Sequence, residues 1–114
     1  MNHRINPLEL SLNVLLNLLE SKNKDYEIDY NGESIIILKQ KHEFLIILKR
    51  IIDQIWYSSP ISGASKFKLV RLDENHFHLQ DTSKLNRSLS NLLTQELDML
   101  IESEVNSQNI KILF

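Results

Sequence analysis

Cysteine is absent from this 114-residue sequence. Without a thiol the chain cannot form a disulfide framework, a thiolate zinc site, a thiol nucleophile or a cluster held by its own cysteines. Any metal ion that the protein handles must therefore be bound by oxygen or nitrogen ligands.

Glycine and proline are scarce, with two of each. Two glycines are too few for a glycine-rich phosphate loop, and the sequence contains neither the HExxH pattern of zinc peptidases nor the Gly-x-Ser-x-Gly turn of hydrolases. The serines near Pro60 have no base beside them in the sequence. These absences disfavour the common phosphate-binding and hydrolytic enzymes.

The net charge is small, at -2, and Lys and Arg are scattered along the chain. Nucleic-acid binding is not expected, because it needs clustered cations to neutralise phosphates. The longest apolar-leaning stretch, residues 44–52, includes Lys49 and Arg50 and is much shorter than the ~20 residues that span a bilayer. No membrane span is therefore expected. Residues 1–7 lack the apolar core of a signal peptide and are too short and Arg-poor for an ordinary transit peptide, so a cleaved leader is expected to be either absent or cryptic.

The composition, 42% hydrophobic and 25% charged, is typical of an ordinary folded domain. We predict a single domain over residues 1–114, with a core at about 7–104 and a C-terminal tail at 105–114. The tail is polar and then apolar, so we expect it to fold back over the helices.

Hydrophobic periodicity predicts an α+β fold. Leucines at three- and four-residue spacing predict helices at 7–22 and 85–104, the second with Leu100 on its buried side. Alternating or β-branched runs predict six strands, at 25–30, 34–38, 44–49, 54–58, 66–72 and 76–80. Asn31-Gly32 predicts a two-residue hairpin turn. The economical architecture is a two-layer α-β-α sandwich with both helices on one face of an antiparallel sheet of about six strands, leaving the other face for function.

Acidic residues recur on two of these elements. Asp25, Glu27 and Asp29 alternate along the first strand and therefore share one face, while Glu9 and Glu20 lie about three turns apart on one side of the first helix. Carboxylates of this kind could bind a hard cation loosely. The alternative is that the acids keep an exposed strand soluble and discourage edge pairing.

Trp56 alternates with Ile55 and Tyr57 and shares a strand face with Gln54 and Ser58, which predicts a partly exposed indole suited to protein binding. A shifted register would instead make it a core residue. His76 and His78 would also share a face, but a pair of imidazoles is a weak metal signal.

The segment QIWYSSPISG at residues 54–63 resembles the signature of the frataxin family, in which a Gln-x-Trp strand runs into a Ser-Ser-Pro-x-Ser-Gly turn. The acidic segment 25–30 resembles the first strand of frataxins, and residues 88–97 resemble their final helix. The three segments occur in the family's order.

The resemblance implies a role in iron–sulfur cluster assembly. It implies that Gln54, Trp56 and Lys66 bind the cysteine desulfurase and its scaffold protein, and that Glu9, Glu20, Asp25, Glu27 and Asp29 bind iron weakly. The alternatives are a ferroxidase or iron store acting without that complex, and an interaction domain that has lost iron binding. A monomer is expected, in a mitochondrion or reduced mitochondrial organelle, or else in a bacterial cytoplasm.

The sequence also departs from the family pattern. The family's Asn-Lys/Arg-Gln tripeptide is replaced by Ile47-Leu48-Lys49, which removes polar groups from the partner surface. The first helix has Asn13 and Asn17 where frataxins generally carry more acids, so weaker or fewer iron sites are expected.

Overall fold

The computed structural model describes residues 6–22, 25–84 and 87–114, and its elements are two α-helices, one short 3-10 helix and eight strands within those ranges. The helices are α1, Pro7–Ser21, and α2, Leu89–Leu97, and the 3-10 helix is Arg50–Ile52. The strands are β1, Tyr26–Tyr30; β2, Ser34–Lys39; β3, His42–Lys49; β4, Gln54–Ser59; β5, Gly63–Arg71; β6, His76–Asp81; β7, Glu104–Ser107; and β8, Ile110–Leu113.

The strands form one sheet in the order β1-β2-β3-β4-β5-β6-β8-β7. All neighbouring strands are antiparallel except β6 and β8, which are parallel. The α+β class is therefore confirmed, but the sheet is mixed and has eight strands instead of about six. Alternate residues of each central strand join the leucines of both helices in one core. Among the described residues neither α-helix packs on the opposite sheet face, which we call the open face.

Helix α1 begins where its sequence predicts. The Asn6 side chain accepts a hydrogen bond from the Leu8 amide at 2.8 Å, and Pro7, which has no amide hydrogen to satisfy, occupies the first turn. Leu8, Leu12, Leu15 and Leu19 are at most 1% exposed. This side of the helix anchors α1 on the sheet.

Helix α2 is shorter than the predicted 85–104. Ser88 caps its start by accepting from the Asn91 amide, and the left-handed backbone of Asp98, with φ at 54°, ends it. Leu100 was predicted on the buried side, but it lies beyond that end and is 71% exposed. Leu85 lies outside the described residues. Lysine ammonium groups bind two backbone carbonyls in this region, Lys39 that of Leu97 at the helix end and Lys22 that of Leu100 beyond it, both at 2.7 Å.

The predicted two-residue turn at Asn31-Gly32 is wrong in detail. Three residues separate β1 from β2, and only Gly32 has a positive φ, because Asn31 acts through its side chain, whose oxygen accepts from the amides of Glu33 and Ser34. Both φ angles are positive at Gln40-Lys41, which joins β2 to β3, and at Gln108-Asn109, which joins β7 to β8. Neither pair contains glycine, so neither gives the usual sequence signal.

The C-terminal tail does fold back, but it extends the sheet instead of covering the helices. Strands β7 and β8 form a C-terminal hairpin, and β8 lies beside β6. Ile112 is fully buried and Phe114 is 2% exposed. The Ser90 hydroxyl on α2 donates to the Phe114 carbonyl at 2.8 Å, which ties the hairpin to the helical layer.

Candidate functional site

Trp56 lies on the open face of β4. Ile55 and Tyr57, its neighbours in sequence, are 0% and 1% exposed on the helical side, whereas Gln54 and Trp56 are partly exposed and Ser58 is exposed. The strand alternation predicted from the sequence is therefore observed. The bulky indole is available at the surface.

Three neighbours hold the indole in place. Its Nε1–H group donates to the Gln54 side-chain oxygen at 2.7 Å. The ammonium nitrogens of Lys49 and Lys66 lie 4.6 and 4.5 Å from the centroid of the Trp56 ring, within cation–π range. Lys66 pairs directly with Trp56 across β4 and β5, and Lys49 pairs with Gln54 across β3 and β4.

The three predicted partner-binding residues, Gln54, Trp56 and Lys66, thus come together in one cluster. Sequence reasoning missed Lys49 as a member, although it is the residue that replaces the last position of the family tripeptide. Its place beside the indole follows from the β3–β4 register, which the sequence alone does not specify. We call these four side chains the tryptophan cluster.

Beyond the tryptophan cluster the open face becomes aliphatic. Ile47 lies opposite Trp56 on β3, and the register continues the same face through Leu45 and Ile36 to β2. These three side chains are partly buried, and Leu38, farther along β2, is 42% exposed. Ile47 therefore provides apolar contact area where frataxins usually have a polar group.

The strand acids lie at the edge of the same face. Glu27 pairs with Leu38 and Asp29 with Ile36, and both acids are exposed. Tyr26 lies on the other side of the strand, where its hydroxyl donates to the Leu19 carbonyl at 2.7 Å. Asp25 is exposed just before the strand begins. We call Asp25, Glu27 and Asp29 the acidic row.

The helix acids lie elsewhere. Glu9 accepts from the Arg50 guanidinium at 2.6 Å, and Arg50 also binds Glu33 at 2.9 Å. Glu20 is exposed, and eleven residues separate it from Glu9, about 16 Å along a helix. The structure therefore does not bring the five predicted iron ligands to one centre. Within residues 6–22, 25–84 and 87–114, no group of three or more His, Asp or Glu is arranged to hold a metal ion.

Within the residues that the structure describes, the histidines do not complete a metal-binding group either. The His76 ring is hydrogen-bonded to the Asp73 carboxylate, and His42 is exposed, while His3 lies outside the described residues. His78 lies on the same strand face as His76 and is partly buried. No helix in the described part of the chain is long and apolar enough to span a membrane.

Glu96 is a further residue of interest, on the helical side of the sheet. Its carboxylate accepts hydrogen bonds from the Tyr57 hydroxyl at 2.8 Å and from the Ser59 hydroxyl. Burial, together with the adjacent Glu96 carboxylate, raises the pKa of Tyr57 far above its usual range, so Tyr57 remains a donor. Glu96 follows Leu92 and Leu93 by four and three residues, so its core-facing position was a signal available in the sequence.

The turn after β4 depends on Ser59, which is 7% exposed. Its oxygen also accepts from the Ile61 amide at 3.0 Å and from the Ser62 amide at 3.3 Å. Gly63 then adopts a φ of 81°, a conformation that side chains rarely allow. This signature turn, residues 59–63, leaves Ile61 66% exposed.

A buried carboxylate, Asp81, organises the entry to α2. It accepts from the amides of Ser83 and Lys84 at 2.8 and 3.0 Å and from Arg87 Nε at 3.0 Å. Burial opposes ionisation of Asp81, but these hydrogen bonds outweigh it and hold the pKa of Asp81 below its usual range. Arg87 also binds the hydroxyl of Ser65 on β5. The network joins the sheet to the second helix.

Comparison with protein families gives one finding. A family model described as a frataxin-like domain matches residues 5–101, which is most of the chain and includes the tryptophan cluster, the acidic row, the signature turn and Glu96. The match ends before the C-terminal hairpin. No curated protein matches the chain.

Proposed function

Because the chain belongs to the frataxin family, which acts in iron handling and iron–sulfur cluster assembly, we propose that it is an adaptor for the assembly machinery. In this proposal the open face docks onto the complex of cysteine desulfurase and scaffold protein. The acidic row supplies weak iron binding close to the docking surface.

The tryptophan cluster is the observation that carries this proposal. A partly exposed indole is held by Gln54 and flanked by two lysines, so little side-chain freedom is left to lose on binding. Rigid aromatic residues with cations beside them are typical of binding hot spots. The aliphatic surface at Ile47 and Leu45 extends the contact area towards β1.

Weak iron binding is consistent with the geometry of the acidic row. Side chains two residues apart on a strand are about 6.6 Å apart, which suits a hydrated ion better than one held by several carboxylates at once. Glu9 is already paired with Arg50, and Glu20 lies at the far end of α1. We therefore assign the iron contact to Asp25, Glu27 and Asp29, with little contribution from the helix.

The test is sulfide production by a purified desulfurase–scaffold complex supplied with iron. The intact protein should change the rate, and Trp56→Ala should abolish that change while leaving iron binding intact. The charge-reversed double variant, Glu27→Lys with Asp29→Lys, should lose iron binding and keep the effect on the rate of sulfide production. Gln95→Ala, an exposed residue of α2 on the other layer, is the matched control.

Two results would contradict the adaptor proposal. If the intact protein leaves the rate unchanged, it does not act through this complex, and iron oxidation or storage at the acidic row becomes the function to test. If Trp56→Ala stimulates as well as the intact protein, the docking surface is not the tryptophan cluster.

A further inference from the structure

We infer that Glu96 is a positioning residue that acts through the sheet to fix the signature turn, and that the turn presents Ile61 to an apolar pocket of the docking partner. This inference rests on the proposed adaptor function. It adds a contact site at the end of β4 and names the helix residue on which the geometry of that site depends.

The contacts form a continuous path from α2 to the turn. Glu96 accepts from the Ser59 hydroxyl, and the same Ser59 oxygen accepts from the Ile61 and Ser62 amides. The hydroxyl hydrogen can point in only one direction, so donating to Glu96 leaves the oxygen lone pairs free for the two amides. Glu96 therefore orients Ser59, and Ser59 orients the turn.

Tyr57 shows that Glu96 is itself held in place. Its hydroxyl donates to the same carboxylate oxygen that Ser59 binds, and its ring is 1% exposed. The Tyr57 bond holds Glu96 against the inner face of β4, and the Tyr57 hydroxyl also lies close to the Ser59 side chain. Of the two hydroxyls bound to Glu96, that of Ser59 is the one that accepts from the turn amides.

Ile61 is the part of the turn that meets solvent. It follows Trp56 by five residues and is 66% exposed, the greatest exposure of any large apolar side chain on β4 or the turn that follows it. An exposed aliphatic side chain on an ordered turn can fill an apolar pocket with little loss of conformational freedom. Since lysines flank the indole on the strand that leads into the turn, we expect the docking partner to carry acidic groups on the same surface as that pocket.

The experiment measures affinity for the desulfurase–scaffold complex with four variants. Glu96→Ala and Ser59→Ala should each weaken binding by about tenfold or more, the factor that corresponds to one hydrogen bond to a charged group. Glu96→Gln keeps a carbonyl acceptor for both hydroxyls and should bind almost normally. Tyr57→Phe keeps the Ser59–Glu96 bond and both bonds from the turn amides, so it should weaken binding less than Ser59→Ala or Glu96→Ala does.

A second measurement separates positioning from general destabilisation. Hydrogen exchange of the Ile61 and Ser62 amides should accelerate strongly in Glu96→Ala and Ser59→Ala, and much less in Tyr57→Phe, which keeps the Ser59–Glu96 bond. In an Ile61→Ala background, adding Glu96→Ala should weaken binding no further, because the side chain whose position it controls is gone.

The outcomes distinguish this inference from the function on which it rests. If the intact protein does not change the rate of sulfide production, the adaptor proposal itself fails. If Trp56→Ala abolishes stimulation but Glu96→Ala binds normally, the positioning inference is wrong. Equal affinity losses in Glu96→Ala and Tyr57→Phe would also overturn it, because they would show a loss of stability only.

Discussion

At the scale of single residues, the carboxylates of this chain divide by the groups that surround them. Those of the acidic row are exposed and available to a cation, while Glu96 and Asp81 face inward and bind protein donors. Their separate roles depend on the donors around them. Asp81 binds amides and an arginine that follow it closely in sequence, whereas Glu96 binds hydroxyls 37 and 39 residues away.

Asp81 predicts an acid-dependent loss of stability. Its pKa is lower in the folded protein than the ordinary value of 3.8, so ionised Asp81 stabilises the fold above about pH 4, and this contribution is lost as the pH falls through the folded pKa. We expect Asp81→Asn to lower the free energy of unfolding near pH 7 by about 2 kcal/mol, because hydrogen bonds to a buried charge are lost. Urea unfolding at neutral and acid pH measures the difference.

The difference in free energy of unfolding between the wild type and Asp81→Asn should become smaller at acid pH, where Asp81 is protonated in both the folded and the unfolded protein. Asp73→Asn is the matched control, because Asp73 also has a lowered pKa, from the Asn75 amide and His76, but is exposed. Its substitution should change stability much less. If the difference for Asp81→Asn stayed constant with pH, the charge of Asp81 would make no contribution to stability.

At the scale of elements, the Gln40-Lys41 turn is the clearest place where a substitution should stabilise the fold. Both residues have positive φ, 49° and 70°, which costs energy for side chains other than Asn, Asp and Gly. Replacing the pair by Asn-Gly should raise the free energy of unfolding by about 0.5–1 kcal/mol. Thermal unfolding measures this, and an unchanged midpoint would show that the turn is not strained.

Periodicity predicts the elements well where one face is buried. Helix α1 and strands β1 to β6 all lie close to their predicted positions, because alternation and helical spacing report the inward side chains. Periodicity does not report chain reversals made by Asp98 or Gln108-Asn109, whose left-handed backbones have no glycine to mark them. That is why α2 was predicted too long and the C-terminal hairpin was missed.

In the candidate site, too, some features follow from local sequence and others depend on how distant segments pair. The face alternation of β4 places Trp56 and Gln54 from sequence alone, and the register adds Lys49. The helix acids illustrate the opposite case, since Glu9 and Glu20 share a side of α1 but Arg50, from another part of the chain, binds one of them. Local spacing predicts a shared face and does not predict its partners.

At the scale of the whole molecule, the C-terminal hairpin completes the core although the family match ends before it. Ile112 is fully buried, so Ile112→Ala should lower the free energy of unfolding by about 2–5 kcal/mol. Leu113→Ala is the matched control, because its side chain is only partly buried and should cost less. Denaturant unfolding compares them, and equal losses would contradict the assigned register of β8.

The parallel pairing of β8 with β6 also has a consequence for how the chain folds. Strands β1 to β5 each pair with the next strand along the chain, whereas β6 pairs with β8, which is synthesised only after α2 and β7. Contacts that close long loops form late, so the edge of β6 stays unpaired in the nascent protein until its last strand arrives. An unpaired edge can join another chain, and the yield of native protein therefore depends on how quickly β8 docks.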